Sequence, residues 1–337
     1  MKIQSNHSLK ELNTFGIDVQ AKNYVEAKSL NDLIQLCKAN TAEQLFFLGG
    51  GSNMLLTQDI QKTVVKVDLK GIEIIQEDED FVWVEAQAGE NWHEFVLWAV
   101  QNNYGGIENL SLIPGNVGTT PIQNIGAYGV ELKDVMSGCS TLEIKSQEQQ
   151  QFTTAQCEFG YRESVFKNKL KNQHVITAVT FKLTKKDHQL KTSYGAIQEE
   201  LNQAGITEPT IQDISTAVIN IRNSKLPNPK EIGNSGSFFK NPVVSKEQFQ
   251  SIQSSHPTIP HYQIDEQYFK IPAGWLIEKA GFKGSRYGDA GVHEKQALVL
   301  VNYGKATGSE ILRLAQTIQK NVFKLFQINI EAEVNIF

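Results

Sequence analysis

Two glycine-rich stretches carry residue types suited to holding a phosphorylated ligand. The first, GGGSN at residues 49–53, directly follows a short apolar run. Glycines let the backbone turn sharply and approach a ligand, and successive amide groups can surround a phosphate. The stretch is neither a GxGxxG dinucleotide motif, because Met54 occupies the last glycine position, nor a P-loop, because no GK[ST] follows. A tight turn after a strand is the alternative interpretation.

The second stretch, SLIPGNVGTTPIQNIGAYG at residues 111–129, adds polar side chains to its glycines. Thr119, Thr120, Gln123 and Asn124 could bond a polar heterocycle or a diphosphate, and no cationic side chain lies among them. A long loop inside a compact domain is usually functional. An omega loop packed on itself would have the same composition, so both interpretations stay open.

Arginine is scarce among the 32 basic residues, which makes each arginine a candidate anion ligand. Arg162 lies in FGYRES, and Arg222 precedes a stretch rich in Pro, Gly and Asn at residues 223–242. A guanidinium can hold a carboxylate or phosphate with two parallel hydrogen bonds. An ordinary surface ion pair is the alternative for either residue.

A serine and a glutamate in the last third of the chain could move protons. Ser237 lies in NSGSFFKN without a GxSxG motif, so an activated nucleophile has little support, and a hydroxyl that donates a proton is the alternative. Glu333 lies in a segment whose alternation predicts a strand with Glu331, Glu333 and Asn335 on one face. A solvated polar face is the ordinary interpretation of such a pattern.

Periodicity and capping residues predict the elements that position these candidates. A helix is predicted near residues 29–39, opened by a capping box of Ser29 and Asp32, and another begins at Asn91. Further helices are predicted at 210–222 and 308–326. Strands are predicted at 45–48, 63–69, 71–76, 81–89, 139–145 and 174–183. The stretches 105–129 and 223–242 are predicted to be long loops.

Length and composition restrict the class of protein. A chain of 337 residues predicts two or three domains, and a net charge of −5 offers no broad field for nucleic acid. No apolar run approaches the roughly 18 to 20 residues of a membrane span, and the N-terminus lacks a signal-peptide core, so a cytoplasmic location is expected. Cys37, Cys139 and Cys157 have neither CxxC spacing nor nearby histidines, which predicts buried free thiols and no metal site.

A series of motifs along the whole chain resembles one enzyme family. In order, the motifs are GGGSN, GENW, IPGNVGTTPIQNIGAYG, FGYRES, KLPNP, NSGSFFKNP, PAGWLIEKAGFKG, HEKQALVLVN and EAEV. Together they resemble the MurB family, the UDP-N-acetylenolpyruvoylglucosamine reductases. FGYRES and the SYG at 193–195 resemble the Escherichia-like subtype, which folds a tyrosine loop over its substrate. The chain departs from the family near its end, where Ala332 and Asn335 replace a proline and an arginine.

The resemblance implies a fold and a reaction. The implied fold is α+β, with a two-lobed FAD-binding domain of the PCMH or vanillyl-alcohol-oxidase type and a C-terminal α/β substrate-binding domain. Residues 1–67 with 326–337 would form the first lobe, 68–218 the second lobe with the tyrosine loop, and 219–325 the substrate domain. NADPH would reduce non-covalently bound FAD, which would reduce the enolpyruvyl ether of UDP-N-acetylglucosamine to UDP-N-acetylmuramate for peptidoglycan. The chain is expected to act as a monomer.

The resemblance also implies residue roles. Arg162 would stabilise the charge that develops on the substrate, Ser237 would protonate the intermediate, and Glu333 would polarise it. The expected FAD contacts are Gly49, Gly50, Gly51, Ser52, Asn53, Thr119, Thr120 and Arg222. The expected substrate contacts are Tyr128, Tyr161, Tyr194, Lys225, Asn241, Tyr262 and Gln296. The alternatives are a related flavoprotein that oxidises another alcohol and a catalytically inactive protein that binds FAD or a nucleotide sugar.

Overall fold

The computed structural model describes all 337 residues, Met1 to Phe337. Helices α1 to α7 span Leu30–Ala39, Trp92–Gln101, Ile197–Gln203, Ile211–Lys225, Lys246–Ser255, Ala273–Lys279 and Gly308–Phe326. Strands β1 to β10 span Gln4–Ser8, Gln20–Ala27, Leu45–Leu48, Met54–Leu55, Ile60–Val67, Ile72–Glu77, Phe81–Gln87, Gly126–Ala127, Val130–Glu131 and Met136–Glu143. Strands β11 to β20 span Gln149–Thr153, His174–Thr184, Gly233–Ser237, Val243–Ser245, Tyr262–Gln263, Tyr268–Lys270, Arg286–Tyr287, Ala290–Val292, Val299–Asn302 and Asn335–Ile336. None of the helices is both long and apolar enough to cross a bilayer.

The chain divides into two compact units. The first unit consists of Met1–His7, Ala21–Gly50 and Ile60–Ser224, and the second of Ser8–Gln20, Gly51–Asp59 and Lys225–Phe337. The chain therefore passes from one unit to the other inside the first glycine-rich stretch, after Gly50. The three-part division into two lobes and a substrate domain stays a prediction.

Two larger sheets organise the first unit. One has the order β1-β2-β5-β3, and β5 pairs in parallel with both β2 and β3. The other is antiparallel with the order β11-β10-β12-β7-β6. Trp92 and Phe95 of α2 pack on Phe181 of β12, with ring centroids 5.8 and 4.8 Å away. These ring contacts place the start of α2, and the residues just before it, against the antiparallel sheet.

The predicted helices of the first unit are confirmed, and their caps explain where they begin. Ser29 Oγ accepts the Asp32 N–H at 3.1 Å, and the Asp32 carboxylate accepts the Ser29 N–H at 3.0 Å, which completes the capping box of α1. Asn91 Oδ1 accepts the Glu94 N–H at 3.1 Å at the start of α2. The predicted strands at 45–48, 63–69, 71–76, 81–89, 139–145 and 174–183 are also confirmed within a few residues at their ends. The three cysteines are buried and free, as predicted.

The second unit contains a four-stranded antiparallel sheet, β13-β19-β18-β17, and a three-stranded sheet, β14-β16-β15. Helix α7 spans the predicted residues 308–326 and buries Ile311, Ile318 and Val322. Leu325 is exposed, whereas the next residue, Phe326, is buried.

Two predicted features of the second unit are wrong. The stretch 223–242 is not a continuous loop, because it contains β13; its polar composition reflects Asn234, whose side chain bonds nearby backbone groups while β13 pairs with β19. The segment around Glu333 is not a continuous strand. It makes a single bridge between Ala332 and Phe239, bends at Val334, and then changes its partner to β4.

Candidate active site

The two glycine-rich stretches pack against each other in the first unit. A Cβ atom on Gly50 would lie 2.6 Å from Gly115 Cα and 2.9 Å from Asn116 Oδ1, and a Cβ on Gly49 would overlap the Thr119 methyl group. Lys66 on β5 donates to the Gly49 carbonyl. A Cβ fits at neither position unless a neighbour shifts, and at Gly50 that neighbour is backbone, so the stretches form a narrow backbone cradle.

The remainder of GGGSN lies in the second unit, next to the C-terminal segment. Gly51 is in the left-handed region with φ +63, and its carbonyl accepts the Thr14 N–H at 3.0 Å. The Asn53 carbonyl accepts the Asn335 N–H at 3.2 Å, and Asn53 Nδ2 donates to the Glu333 carbonyl at 3.4 Å. Ser52, between them, is half-buried. GGGSN is therefore held by specific partners on both sides of Gly50.

A short segment, GENWH at residues 89–93, holds the second glycine-rich stretch in the first unit. The bonds run from Val117 N to Glu90 O (2.9 Å), Asn116 Nδ2 to Gly89 O (3.0 Å), Trp92 N to Gly115 O (3.0 Å), Trp92 Nε1 to Leu110 O (2.9 Å) and Leu112 N to His93 Nδ1 (2.9 Å). Residues 110–117 are thus fixed by the residues that lead into α2.

The threonine hydroxyls of the second stretch donate to backbone carbonyls of the same stretch. Thr119 Oγ1 donates to Asn116 O and Thr120 Oγ1 to Val117 O, both at 2.7 Å, within one 3₁₀ turn. Both hydroxyl protons are therefore used inside the turn, and these hydroxyls could serve a ligand only as acceptors. Thr120 is also only 2 % exposed.

Arg162 lies in the arginine loop, FGYRES at residues 159–164, and contacts the second glycine-rich stretch. Its Nη2 donates to the Gly126 carbonyl at 2.9 Å, and Ser164 Oγ donates to the Ile122 carbonyl at 2.6 Å. Arg162 has φ +57, a conformation that a non-glycine residue adopts only where its surroundings fix it. Its half-buried guanidinium is therefore held in place before any ligand binds.

The three predicted substrate tyrosines of the first unit, Tyr128, Tyr161 and Tyr194, differ in their exposure to solvent. A Cβ on Gly129 would lie 3.4 Å from Tyr194 Cβ, and a Cβ on Gly195 would lie 3.6 Å from Tyr128 Cδ1, so the SYG segment lies against the end of the second stretch. Tyr128 is half-buried, whereas Tyr194 is 47 % exposed. Tyr161 is exposed in the arginine loop, with its ring centroid 5.8 Å from the Arg162 guanidinium carbon.

Arg222, in the last turn of α4, presents an unusual buried donor. Its Nε is shielded from solvent and has no hydrogen-bond partner in the protein. Burial lowers the pKa of the Arg222 guanidinium, and the neighbouring Tyr128 opposes this shift. Unpaired buried donors are rare in folded proteins, and a catalytic role or a bound ion is among their explanations. The arrangement suits an anionic or oxygen-rich ligand.

Ser237 and Glu333 lie on adjacent segments of the second unit. Ser237 ends β13, where it pairs with Val299 of β19 and is exposed. The Phe238 carbonyl, one residue later, accepts the Glu333 N–H at 2.8 Å. The backbones of the predicted serine and glutamate therefore lie close together, and Glu333 is half-buried. Arg162 belongs to the first unit.

The remaining predicted substrate residues lie in the second unit. Asn241 Oδ1 accepts the Ala273 N–H at 2.9 Å at the start of α6, and Gln296 Oε1 accepts the Leu298 N–H at 3.3 Å. Both amides thus retain their NH₂ groups for other partners. Lys225 at the end of α4 and Tyr262 on β15 are exposed.

Sequence reasoning missed several polar residues that shape the site. Asn109 donates from Nδ2 to the carbonyls of Tyr128 and Lys191, both at 2.9 Å, and so joins the SYG region to the second stretch. Asn124 is fully buried and donates to the Gly160 carbonyl at 3.1 Å. His93 could have been noticed because it directly follows GENW, whereas no local signal marks Asn109.

Comparison with known proteins assigns families to both parts of the chain. A family model for an FAD binding domain matches residues 21–144, and a model for the C-terminal domain of UDP-N-acetylenolpyruvoylglucosamine reductase matches residues 228–337. A relative in Flavobacterium johnsoniae, named UDP-N-acetylenolpyruvoylglucosamine reductase, is 60 % identical over 336 residues, which cover 100 % of both chains. A relative of the same name in Amoebophilus asiaticus is 46 % identical over 338 residues, 100 % of this chain and 99 % of its own.

A solved structure shows the same fold. The UDP-N-acetylenolpyruvylglucosamine reductase (MurB) of Thermus caldophilus matches with a TM-score of 0.69 at 22 % identity, covering 100 % of this chain and 99 % of that one. The expected α+β architecture, a PCMH-type FAD-binding domain with a C-terminal domain, is thereby confirmed.

Proposed function

The chain belongs to the UDP-N-acetylenolpyruvoylglucosamine reductase family, and from this premise we propose the reaction and the residues that perform it. The chain is a flavin-dependent oxidoreductase that uses NADPH to reduce the enolpyruvyl ether of UDP-N-acetylglucosamine to UDP-N-acetylmuramate, a peptidoglycan precursor. The observation that carries this conclusion is the 60 % identity over the full length of a curated reductase. A catalytically inactive binding protein is not favoured.

The residues present fit an FAD cofactor. The bound cofactor would supply hydride transfer from NADPH to the carbon–carbon double bond of the substrate. We propose that the FAD contacts are Gly49, Gly50, Gly51, Ser52, Asn53, Thr119, Thr120 and Arg222. Two observations support this set: a Cβ on Gly50 would lie 2.6 Å from Gly115 Cα, and the solvent-shielded Nε of Arg222 has no acceptor in the protein.

Arg162 stabilises the charge that develops on the substrate. Hydride addition to the terminal vinyl carbon moves negative charge onto the adjacent carbon and its carboxylate, so a cation beside that carboxylate favours the transition state over the ground state. The 2.9 Å bond from Arg162 to the Gly126 carbonyl supports this role, because a guanidinium already fixed in place needs little reorganisation during the reaction.

Ser237 donates the proton that completes the reduction, and Glu333 polarises the intermediate. A serine hydroxyl is a weak acid near neutral pH, so it needs neighbours that stabilise its negative charge. Lys225 and Asn241 are the candidates in the second unit, and the Asn241 amide NH₂ is the group available because its oxygen accepts the Ala273 N–H. The backbone bond between Glu333 and Phe238 supports a position for the glutamate next to Ser237.

The nucleotide sugar is bound by Tyr128, Tyr161, Tyr194, Lys225, Asn241, Tyr262 and Gln296. We also propose that the chain belongs to the Escherichia-like subtype and that the SYG at 193–195 forms its tyrosine loop. The 47 % exposure of Tyr194 and its position against Gly129 support a side chain that can cover a ligand.

The three-part division proposed for the chain assigns residues 1–67 with 326–337 and residues 68–218 to FAD binding, and residues 219–325 to the substrate. A cytoplasmic location is proposed with it, because NADPH and UDP-sugars are cytoplasmic metabolites. The family model for an FAD binding domain, at residues 21–144, supports FAD binding within the first 218 residues, and the C-terminal model, which begins at residue 228, supports a boundary near residue 219.

The proposed function is tested with the FAD-loaded chain, NADPH and the enolpyruvyl nucleotide sugar. NADPH absorbance should fall only when the nucleotide sugar is present, and UDP-N-acetylmuramate should form in equal amount. Ser237→Ala should retain reduction of FAD by NADPH but slow reoxidation by the substrate by orders of magnitude, since only the second half-reaction needs the proton. Absence of substrate-dependent NADPH loss would refute the function, and equal slowing of both half-reactions would refute the role of Ser237.

A further inference from the structure

The bond between Leu112 and His93 lies at the entrance to the second glycine-rich stretch. Leu112 has φ +60, and its N–H donates to His93 Nδ1 at 2.9 Å. A leucine is strained in this left-handed conformation and stays there only where the surrounding structure fixes it. Because a backbone N–H can only donate, His93 Nδ1 must carry no proton, and the imidazole is neutral when this bond exists.

Among the bonds from GENWH to residues 110–117, this one alone depends on a group that titrates near neutral pH. The other bonds join backbone amides, an asparagine amide and an indole N–H to backbone carbonyls. None of these groups gains or loses a proton in the physiological pH range. A protonated His93 would place an N–H against the Leu112 N–H, so the bond would be lost. The strained turn would then lack the partner that holds it.

The charges around His93 favour the neutral imidazole. Burial and the Arg222 cation on α4 lower the pKa of His93, while Glu94 on α2 opposes them more weakly. Protonation would therefore also set a second cation near Arg222, a proposed FAD contact.

The bond between Leu112 and His93 can affect FAD binding because it fixes the backbone close to the cradle. Gly115, three residues after Leu112, is the residue against which Gly50 packs with no room for a Cβ. A shift of the turn at Leu112 would change the spacing between the two glycine-rich stretches. Since both stretches are proposed to contact FAD, their spacing should set its affinity.

We propose that His93 is a positioning residue for the FAD-binding cradle: its neutral imidazole accepts the Leu112 N–H and keeps the second glycine-rich stretch in its binding conformation, so that FAD binds more weakly when this acceptor is protonated or removed. The inference rests on the FAD dependence of the proposed function.

The test compares FAD titrations of the apoprotein, followed by flavin fluorescence, for three chains. His93→Asn keeps an acceptor, because Oδ1 stands at the same number of bonds from Cβ as Nδ1, but it does not titrate. His93→Leu removes the acceptor. His188→Asn is the matched control, since His188 is half-buried in the same unit and its Nδ1 bonds Thr184 at 2.6 Å, away from the cradle.

The dissociation constant for FAD of the wild type and of His188→Asn should rise roughly tenfold as the pH falls through the lowered pKa of His93. The constant of His93→Asn should change little with pH, and that of His93→Leu should be raised roughly tenfold at every pH. If His93→Leu does not fold, the comparison of His93→Asn with the wild type decides alone.

The inference is wrong if His93→Asn keeps the pH dependence of the wild type, or if FAD binds more tightly at acid pH, which would make His93 a cationic ligand. A wild-type chain that binds no FAD at any pH would instead overturn the proposed function and remove the basis of the inference.

Discussion

Replacing Gly50 with alanine should weaken FAD binding by about 5- to 150-fold. The added Cβ would lie 2.6 Å from Gly115 Cα and 2.9 Å from Asn116 Oδ1. Carbon atoms in contact are about 3.5 to 4.0 Å apart, so the two stretches must separate by about 1 Å. Gly50 is outside the left-handed region, so steric contact alone produces the effect.

The magnitude follows from how the clash can be relieved. In the apoprotein the stretches can move apart, but FAD binding requires the original spacing and must restore the clash. Overpacking of this kind costs about 1 to 3 kcal/mol. A tenfold change in affinity corresponds to about 1.4 kcal/mol, so this cost corresponds to a loss of about 5- to 150-fold.

The assay is a fluorescence titration of FAD into the apoprotein, with thermal unfolding measured in parallel. Gly205→Ala is the control, because Gly205 is exposed, has φ +71 and has open space where a Cβ would lie. This change should cost about 1 kcal/mol of stability while leaving FAD affinity unchanged. The reasoning fails if Gly50→Ala binds FAD as tightly as the wild type, or if Gly205→Ala weakens binding equally.

Two further predictions concern stability in the first unit. Glu108 is 2 % exposed, and burial raises its pKa, so its contribution to folding is favourable below about pH 4.3 and is lost as the pH rises through its folded-state value. Glu108→Gln, which keeps an acceptor for the Gly106 N–H, should therefore stabilise the chain more at pH 8 than at pH 4 in urea unfolding, and an equal effect at both would contradict this. Ser215→Ala should lower the free energy of unfolding by about 1 kcal/mol, because it removes the buried 2.8 Å bond to Ser111. Thr216→Ala, on the exposed face of the same helix, should change it by less than about 0.5 kcal/mol, and equal losses would show that burial of the bond is unimportant.

Local signals were sufficient to predict most elements of the fold. The capping box of Ser29 and Asp32 and the cap at Asn91 depend on residues three positions apart, so the sequence displays them directly. The wrong predictions arose where pairing with a distant segment decided the structure. Strand β13 forms in a polar stretch because β19 lies beside it, and the pairing around Glu333 is divided between two partners.

In the candidate site, too, local motifs could be predicted and contacts between distant segments could not. Motif order was sufficient to predict the glycine-rich stretches, and the pairing near Ser237 agrees with the role proposed for Glu333. The residues that fix these groups could not be predicted, because their partners are far away in sequence. Asn109 bonds a carbonyl 82 positions away, and Ser215 bonds a hydroxyl 104 positions away. Neither residue type is unusual enough to indicate such a partner.

We propose that the chain adds a hydride from NADPH and a proton from the Ser237 hydroxyl, which exchanges with solvent, to the enolpyruvyl double bond. The most direct test runs the reaction in D₂O with unlabelled NADPH and analyses the nucleotide sugar by mass spectrometry. The UDP-N-acetylmuramate formed should carry deuterium at the carbon next to the carboxylate; deuterium at the methyl carbon is not diagnostic, because a hydride that passes through FAD can exchange with the solvent. Unchanged substrate, or a product with no deuterium at the carbon next to the carboxylate, would contradict this mechanism.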